Sequence, residues 1–169
     1  MRKISQLVIL LLVMPLAWVA AAGAESDNPQ KPAAPFELKD LDGNSQRLSD
    51  YLQAGPVFLW FTNFCGGCQS AMPQLKAAFA DKEIPLLIVS LLGDDRQTPA
   101  RVAKKREMTS PILLDPDGMV TKLYSGTYIP ETCPMENFYA VGKDGNIVYS
   151  GHYPGLDKEE LGGLIAKLK

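Results

Sequence analysis

The sequence predicts an α/β domain in which helices flank a mixed central sheet. Apolar runs of strand length at 56–61, 84–92 and 111–115 are each followed by a segment with helical spacing or helix-capping residues. Strands that alternate with helices indicate a sheet with parallel members and helices on both faces. The two ends of the domain differ from this pattern, because paired short runs at 36–48 and 137–151 predict β-hairpins.

The first half of the domain contains a hairpin, a brief helical turn, a strand and a helix. Asp42-Gly43 is a typical hairpin turn, and "SDYL" after it predicts one turn of helix. The run "PVFLWF" at 56–61 is rich in residues that favour a buried strand. From Cys65 onward apolar residues recur at helical spacing, and Pro73 within this stretch predicts a kinked amphipathic helix.

The second half adds two strands with their helices, a second hairpin and a closing helix. Thr98 as N-cap and Pro99 at the first helical position predict a helix after the strand at 84–92. A short helix follows the strand at 111–115, and Lys143-Asp144-Gly145 forms the turn of the hairpin. The last segment, "LDKEELGGLIAKL", predicts an amphipathic helix with acidic residues near its positive end.

Residues 1–24 have the composition of a secretory signal peptide. Two basic residues precede an apolar run, and Ala22-Gly23-Ala24 fits the small-x-small rule for cleavage before Glu25. The apolar run is nearly long enough to span a bilayer, so an uncleaved N-terminal anchor is the alternative. Either way the rest of the chain is expected in the periplasm or another extracytoplasmic space, with a membrane attachment only if the segment stays uncleaved.

The remainder of the chain divides into a Pro-rich linker at 25–35 and one domain at 36–169. A net charge of −2 gives no electrostatic reason to expect nucleic-acid partners. The three cysteines form an odd number, so at least one thiol is left over in an oxidising compartment. This favours redox chemistry over structural stapling.

Cys65 and Cys68 form a C-x-x-C pair with two glycines between them. A structural zinc site needs a second pair of ligands, and the chain offers only Cys133 and His152, so no metal site is predicted. A disulfide that closes so short a loop stabilises a fold weakly, which argues against a simple staple. The redox interpretation remains.

A mechanism supports that interpretation. Cys65 follows a buried strand at the start of a helix, where free backbone amides and the helix dipole are expected to lower its pKa and make it the attacking thiolate. Cys68 lies one turn further along and is expected to be buried and to resolve the mixed disulfide. Gly66 and Gly67 would let a substrate backbone approach closely.

The segment "NFCGGCQSAMPQL" resembles the active-site helix of thioredoxin-like proteins, most of all the extracytoplasmic TlpA group. In that group three residues and then Met-Pro follow C-x-x-C, as Met72-Pro73 do here. "APFELKDLDGNSQRLSDY" resembles the group's N-terminal hairpin and "SPILLDPDGMVTKLY" its central βα insertion, so the resemblance covers residues 33–168.

The resemblance implies a thioredoxin-like fold and a thiol–disulfide oxidoreductase of the protein-disulfide reductase type. The active-site helix would carry Gly66, Gly67 and Pro73 beside the catalytic Cys65 and Cys68. The partners would be cysteine-containing extracytoplasmic proteins and an unidentified electron donor, such as a membrane thiol reductase. No cofactor is expected beyond the Cys65–Cys68 disulfide, and the uncharged Gly-Gly spacer predicts a moderately reducing couple.

The chain departs from the family pattern at two positions. Phe64 replaces the usual tryptophan before the first cysteine, and Leu59 stands where thioredoxins carry a buried aspartate that assists proton transfer. Any proton relay must therefore come from elsewhere. Glu131 and Glu136 are candidates, although solvated loop charge is the simpler interpretation of both, and the one we prefer.

Thioredoxin-like folds place a cis-proline opposite C-x-x-C, and two prolines compete for this place. Pro134 leads into the strand of the last hairpin at close to the usual distance, which predicts that it is the cis-proline; Pro130 is the alternative. Cys133 would then border the substrate and lie near Cys65, where a second disulfide could form. The alternative is that Cys133 fills an apolar space.

Two other functions compete with disulfide exchange. Thr62-x-x-Cys65 matches the T-x-x-C of peroxiredoxin-type peroxidases, but Phe58 replaces the upstream proline of that motif. A copper metallochaperone is the second alternative, with Cys65, Cys68 and Cys133 as three thiolate ligands for Cu(I).

Overall fold

The structure is a computed structural model that describes residues 31–81 and 83–169. The predicted signal peptide or anchor at 1–24 and the first part of the predicted linker lie outside these residues. Within the two described ranges, no helix combines the length and the apolar character needed to cross a membrane.

The described end of the predicted linker is part of the folded domain. Pro32 forms a β-bridge with Asn146, and the Ala33 amide donates a hydrogen bond of 2.9 Å to the Gly145 carbonyl. The prediction of a flexible linker is therefore wrong for this stretch, because its backbone groups pair with the turn of the last hairpin.

Seven strands and five helices are found in the described residues. The strands are β1 (Glu37–Asp40), β2 (Ser45–Arg47), β3 (Val57–Thr62), β4 (Leu86–Ser90), β5 (Ile112–Leu114), β6 (Phe138–Val141) and β7 (Ile147–Gly151). The helices are α1 (Leu48–Ala54), α2 (Gly66–Ala78), α3 (Gln97–Arg106), α4 (Met119–Ser125) and α5 (Lys158–Leu168). Each strand, helix and hairpin anticipated from the sequence is present.

The strands form one sheet in the order β2-β1-β5-β4-β3-β6-β7. Strands β3, β4 and β5 are parallel to one another, whereas β1 and β6 join this parallel centre in the antiparallel sense. The prediction of a mixed central sheet with a hairpin at each edge is confirmed.

The central strand β3 is buried on both faces of the sheet. All six of its residues are buried, and they alternate between the two sides as the two-residue period of a strand requires. Phe58 and Trp60 pack in the cluster that includes residues of α2, α3 and α5. Leu59 and Phe61 pack on the other face, with residues of α1 and α4. This arrangement fixes β3 firmly and with it the place where α2 begins.

Two helix starts test the capping predictions. Asp157 is the N-cap of α5 and Glu159 lies in its first turn, so the predicted acidic residues are at the positive end of the helix. Asp157 also forms a capping box with Glu160, which was not predicted. The N-cap prediction for Thr98 is wrong, because α3 already begins at Gln97. The Asp95 carboxylate accepts hydrogen bonds from the Gln97 and Thr98 amides, so a stronger acceptor ahead of Thr98 starts the helix earlier.

Candidate active site

The site forms where β3 passes into α2. Between them Phe64 is buried and adopts a left-handed backbone conformation, with φ of 56°. This conformation is uncommon for a residue other than glycine and costs on the order of 1 kcal/mol or more, so the surrounding fold must enforce it. It turns the chain so that Cys65 becomes the exposed N-cap of α2.

Two hydrogen bonds hold Cys65 at the helix start. Its amide donates to the Asn63 side-chain oxygen at 3.0 Å, and its Sγ accepts from the Cys68 amide at 3.3 Å. The sulfur therefore takes the place that a serine or aspartate oxygen has in an ordinary N-cap. Both hydrogen bonds place the sulfur over the helix N-terminus.

The three sulfurs lie in a row with Cys68 in the middle. Cys65 Sγ is 3.0 Å from Cys68 Sγ, and Cys68 Sγ is 3.7 Å from Cys133 Sγ. All three cysteines are free thiols: Cys65 is exposed, Cys68 is 3% exposed and Cys133 is half-buried. The tertiary structure thus brings Cys133 next to Cys68, the inner cysteine of the pair.

Asn63 connects the three cysteines. Its backbone amide donates to Cys133 Sγ at 3.3 Å, and its side-chain oxygen lies 3.1 Å from that same sulfur and 3.7 Å from Cys68 Sγ. Its side-chain nitrogen donates to the Glu131 carbonyl and so ties down the loop that carries Cys133. Asn63 is not among the site residues predicted from the sequence. An asparagine two residues before a helix N-cap is typical of an Asx turn, and that signal could have found it.

The three thiols have different acidities. The pKa of Cys65 is raised, first by burial and then by its hydrogen bond with Cys68. The pKa of Cys68 is raised strongly by its hydrogen bond with Cys133 and by burial. The pKa of Cys133 is lowered to about 7, mainly by the hydrogen bond with Cys68, with the Asn63 amide and the Thr62 hydroxyl adding to the effect.

The prediction that Cys65 has a lowered pKa is therefore wrong. The Cys68 and Gly67 amides do act to lower it, as expected at a helix N-terminus, but burial and the Cys68 thiol outweigh them. The cysteine with a lowered pKa is Cys133.

The two glycines of the motif are not required by the fold. A Cβ on Gly66 would meet no atom within 4 Å, and one on Gly67 would meet only Cys65 Sγ at 3.9 Å. Neither has a positive φ. Pro73 lies inside α2, as the sequence indicated. Space is thus left open on the outer side of the first helical turn, beside the exposed sulfur.

A shallow apolar pocket of about 290 Å³ adjoins Cys133. Ile129 and Met135 are 62% and 82% exposed, which is unusual for side chains of this size and type. The lining residues all belong to the loop between α4 and β6: Thr127, Ile129, Thr132, Cys133, Pro134 and Met135.

The cis-proline prediction is wrong for both Pro134 and Pro130. In the described residues the one cis peptide bond joins Tyr153 to Pro154. Pro134 does not lead directly into the sheet, because backbone pairing with β3 and β7 begins only at Asn137. Pro134 therefore belongs to the loop rather than to the strand edge on which the prediction depended.

Leu59 is buried in the face of the sheet opposite α2 and adds no titratable group. Glu131 and Glu136 are exposed, and each accepts a side-chain hydrogen bond through its backbone carbonyl, Glu131 from Asn63 and Glu136 from Tyr139. Within the described residues, no group of three or more His, Cys, Asp or Glu side chains is arranged to hold a metal ion.

The fold and the site define a thioredoxin-like protein with a dithiol at the start of the helix that follows its central strand. The fold class implied by the resemblance is thereby confirmed. The profile of the AhpC/TSA family matches residues 29–150, and the chain belongs to this family.

Two proteins with similar sequences are named thiol-disulfide oxidoreductases. The chain is 28% identical over 135 residues to sporulation thiol-disulfide oxidoreductase A of Bacillus subtilis, covering 76% of this chain and 80% of that one. It is 26% identical over 118 residues to thiol-disulfide oxidoreductase ResA of Geobacillus kaustophilus. That match covers 68% of this chain and 64% of the relative, which is less than two thirds of its length.

Among solved structures, peroxidoxin BcpB from Mycobacterium tuberculosis superposes with a TM-score of 0.61 at 23% identity. The superposition covers 82% of this chain and 92% of that one. A likeness at this identity establishes the shared fold and leaves the reaction to be argued from the site.

Proposed function

We propose that the protein is a thiol–disulfide oxidoreductase that reduces disulfides of other proteins through Cys65 and Cys68. The observation that carries the proposal is the geometry of this pair. An exposed sulfur at a helix N-cap lies 3.0 Å from a sulfur that is almost fully buried. One thiol is thus open to a substrate, and the other is held within reach of it.

The reaction has two exchange steps. The Cys65 thiolate attacks one sulfur of a substrate disulfide, so that a mixed disulfide forms and the first substrate thiolate leaves. The Cys68 thiolate then attacks Cys65 Sγ, which forms the Cys65–Cys68 disulfide and releases the second substrate thiolate. Two electrons pass from the dithiol to the substrate, and an external thiol donor must restore the dithiol.

Several observations support this proposal. Both reported relatives are named thiol-disulfide oxidoreductases. The open space around Gly66 and the exposed Ile129 and Met135 would allow an extended polypeptide to lie beside Cys65. The composition of residues 1–24 favours an extracytoplasmic location, where cysteine-containing proteins are the substrates and a membrane thiol reductase is a suitable donor. The protein disulfide itself serves as the redox centre, without a further cofactor.

The peroxidase alternative has weaker support in the site. The Thr62 hydroxyl accepts a hydrogen bond from the Phe64 amide, and its effect falls on Cys68 and Cys133. A T-x-x-C site for peroxide would need this hydroxyl beside Cys65. The copper alternative would use the three neighbouring sulfurs, but within the described residues no group of three or more His, Cys, Asp or Glu side chains is arranged to hold a metal ion.

Trapping of mixed disulfides tests the proposal. Cys68→Ser is expected to accumulate a substrate protein linked to Cys65, because the first step proceeds and the second cannot. Cys65→Ser is the matched control and should trap nothing and reduce no insulin. Insulin reduction at the wild-type rate by Cys65→Ser would refute the assignment, and rapid peroxide consumption that survives Cys68→Ser would establish the peroxidase instead.

A further inference from the structure

Resolution of the mixed disulfide requires Cys68 to lose a proton in a place where water has little access. Only a thiolate attacks a disulfide, and Cys68 is 3% exposed with a strongly raised pKa. A neighbouring group must therefore accept this proton when Cys68 attacks.

The polar contacts of the Cys68 sulfur within the described residues offer few acceptors. Cys65 is bonded to the substrate at this stage and has no free thiolate. The Asn63 amide oxygen and the Thr62 hydroxyl do not take up protons at ordinary pH. Cys133 remains, with its sulfur 3.7 Å from Cys68 Sγ, within the distance of a sulfur hydrogen bond.

We propose that Cys133 is the base that removes the thiol proton of Cys68 during the second exchange step. The inference rests on the proposed function, because it assigns a role within the same reaction. Two groups favour a thiolate at Cys133: the Asn63 backbone amide donates to its sulfur at 3.3 Å, and the Thr62 hydroxyl acts in the same direction. The Asn63 side-chain oxygen, which accepts the Cys133 thiol proton at 3.1 Å, favours the neutral form and also gives the transferred proton a place to go.

The pKa shifts of Cys133 and Cys68 agree with this role. The pKa of Cys133 is lowered to about 7, whereas that of Cys68 is raised, so Cys133 is the more readily ionised of the two thiols. Cys65 acts in the opposite direction, because two thiolates repel each other.

Protons and electrons balance without any further reactant. The proton moves from Cys68 Sγ to Cys133 Sγ, and the new Cys68 thiolate attacks Cys65 Sγ. The bond between Cys65 and the substrate breaks, and the substrate leaves as a thiolate. Cys133 is neither oxidised nor reduced and later returns its proton to the leaving thiolate or to solvent.

The second step can be observed directly with 5,5′-dithiobis(2-nitrobenzoate). This small disulfide releases one coloured thiolate when it reacts with Cys65 and a second when Cys68 resolves the adduct. Stopped-flow absorbance separates the two phases, and Cys65→Ser measures any direct reaction at Cys133 so that it can be subtracted. The wild-type second phase is expected to accelerate as the pH rises through about 7 and then to level off, because Cys133 is fully ionised above that pH.

Cys133→Ser is nearly isosteric and is expected to slow the second phase at neutral pH on the order of 100-fold. Its rate should keep rising with pH instead of levelling off, because solvent must then deprotonate Cys68. Glu131→Gln and Glu136→Gln are matched controls that remove carboxylates from the same loop, and both should keep the wild-type profile.

The outcomes separate this inference from the function on which it rests. If the wild type releases no second thiolate, the oxidoreductase proposal itself fails. If the second phase requires Cys68 but is unchanged in Cys133→Ser, or responds to a glutamate control instead, Cys133 is not the base. A Cys68–Cys133 disulfide found in the product by peptide mapping would also overturn the base role, since Cys133 would then carry electrons.

Discussion

At two strand-to-helix junctions of the same sheet, different side chains accept hydrogen bonds from the backbone amides at the start of the helix. At the end of β5, Asp115 is fully buried, and its carboxylate accepts hydrogen bonds from the Val120 and Thr121 amides at 3.3 and 2.8 Å. The Thr121 hydroxyl adds a third hydrogen bond of 2.6 Å. At the end of β3, Cys65 Sγ accepts one amide hydrogen bond of 3.3 Å and stays exposed.

The comparison shows how one position in the fold can serve stability or reactivity. Both strands run parallel to β4, so their helices begin at the same edge of the sheet. A carboxyl group has two strong acceptor oxygens, and at Asp115 both of them accept hydrogen bonds from the start of the helix. A thiol is a weak acceptor, so Cys65 stabilises its helix little and remains free to react.

Replacement of Asp115 should give the largest change in stability. Asp115→Ala leaves the amides of Val120 and Thr121 and the hydroxyl of Thr121 unpaired in the interior, and we expect a loss of about 3 kcal/mol in the free energy of unfolding. Urea denaturation measures this change. The rate of disulfide reduction per folded molecule should remain that of the wild type. A loss below about 1 kcal/mol would mean that the two junctions do not differ as we suggest.

Replacement of Cys65 should change activity strongly and stability little. Cys65→Ala should abolish disulfide reduction and change the free energy of unfolding by less than about 1 kcal/mol, because a weak cap is lost. Cys65→Ser should be equally inactive but more stable than Cys65→Ala by about 1 kcal/mol, since serine is a good N-cap. Equal stability of the two variants would show that a side chain at this position gains no stability from accepting the hydrogen bond of the Cys68 amide.

The reactivity of Cys65 should depend on pH in a defined direction. Because its pKa is raised, the thiolate fraction at neutral pH is smaller than in an unfolded peptide, and alkylation by iodoacetamide should be slower than that of a cysteine peptide. Cys68→Ala removes a hydrogen bond that raises this pKa, so alkylation of Cys65 should become faster. Site-resolved mass spectrometry separates Cys65 from Cys133. Faster alkylation of Cys65 than of the reference peptide would contradict the direction of the shift.

The smallest effect on the fold is expected at the glycines. Gly66→Ala should be tolerated, or should stabilise by up to roughly 1 kcal/mol, because a Cβ there meets no other atom within 4 Å. Reduction of a protein disulfide should nevertheless slow, if the open space serves the approach of a substrate backbone. Gly163→Ala in α5 is the matched control, because its Cβ also meets no atom within 4 Å, and it should leave reduction unchanged. Equal rates for the two variants would remove Gly66 from the substrate path.

Local patterns accounted for most of the fold. The periods of the apolar residues and the turn residues at Asp42-Gly43 and 143–145 were enough to place the strands, helices and hairpins. These signals depend on neighbours a few residues apart, which is why they can be read without the tertiary structure. The wrong capping prediction at Thr98 also came from a local pattern, the pair Thr98-Pro99. Asp95 lies three residues before Thr98, is a stronger acceptor and starts the helix earlier.

The active site could be predicted only in part. The order of Cys65 and Cys68 at a helix start was sufficient to assign an exposed and a buried thiol. Their acidities could not be inferred in the same way, because the pKa of Cys65 depends on how far burial and the neighbouring thiol outweigh the amides. The loop around Pro134 was misjudged because the length of an irregular segment does not determine where it joins a sheet.

The sequence by itself determined the α/β order of elements and the position of a dithiol at the end of the central strand, since both follow from short-range periodicity and spacing. Only the tertiary structure decided that Cys133, sixty-five residues beyond Cys68, lies beside that thiol. It also decided that Asn63 forms hydrogen bonds with Cys133 across a similar separation in sequence. Contacts of this kind depend on how a loop packs against the sheet, and the conformation of a loop cannot be predicted from a local pattern of residues.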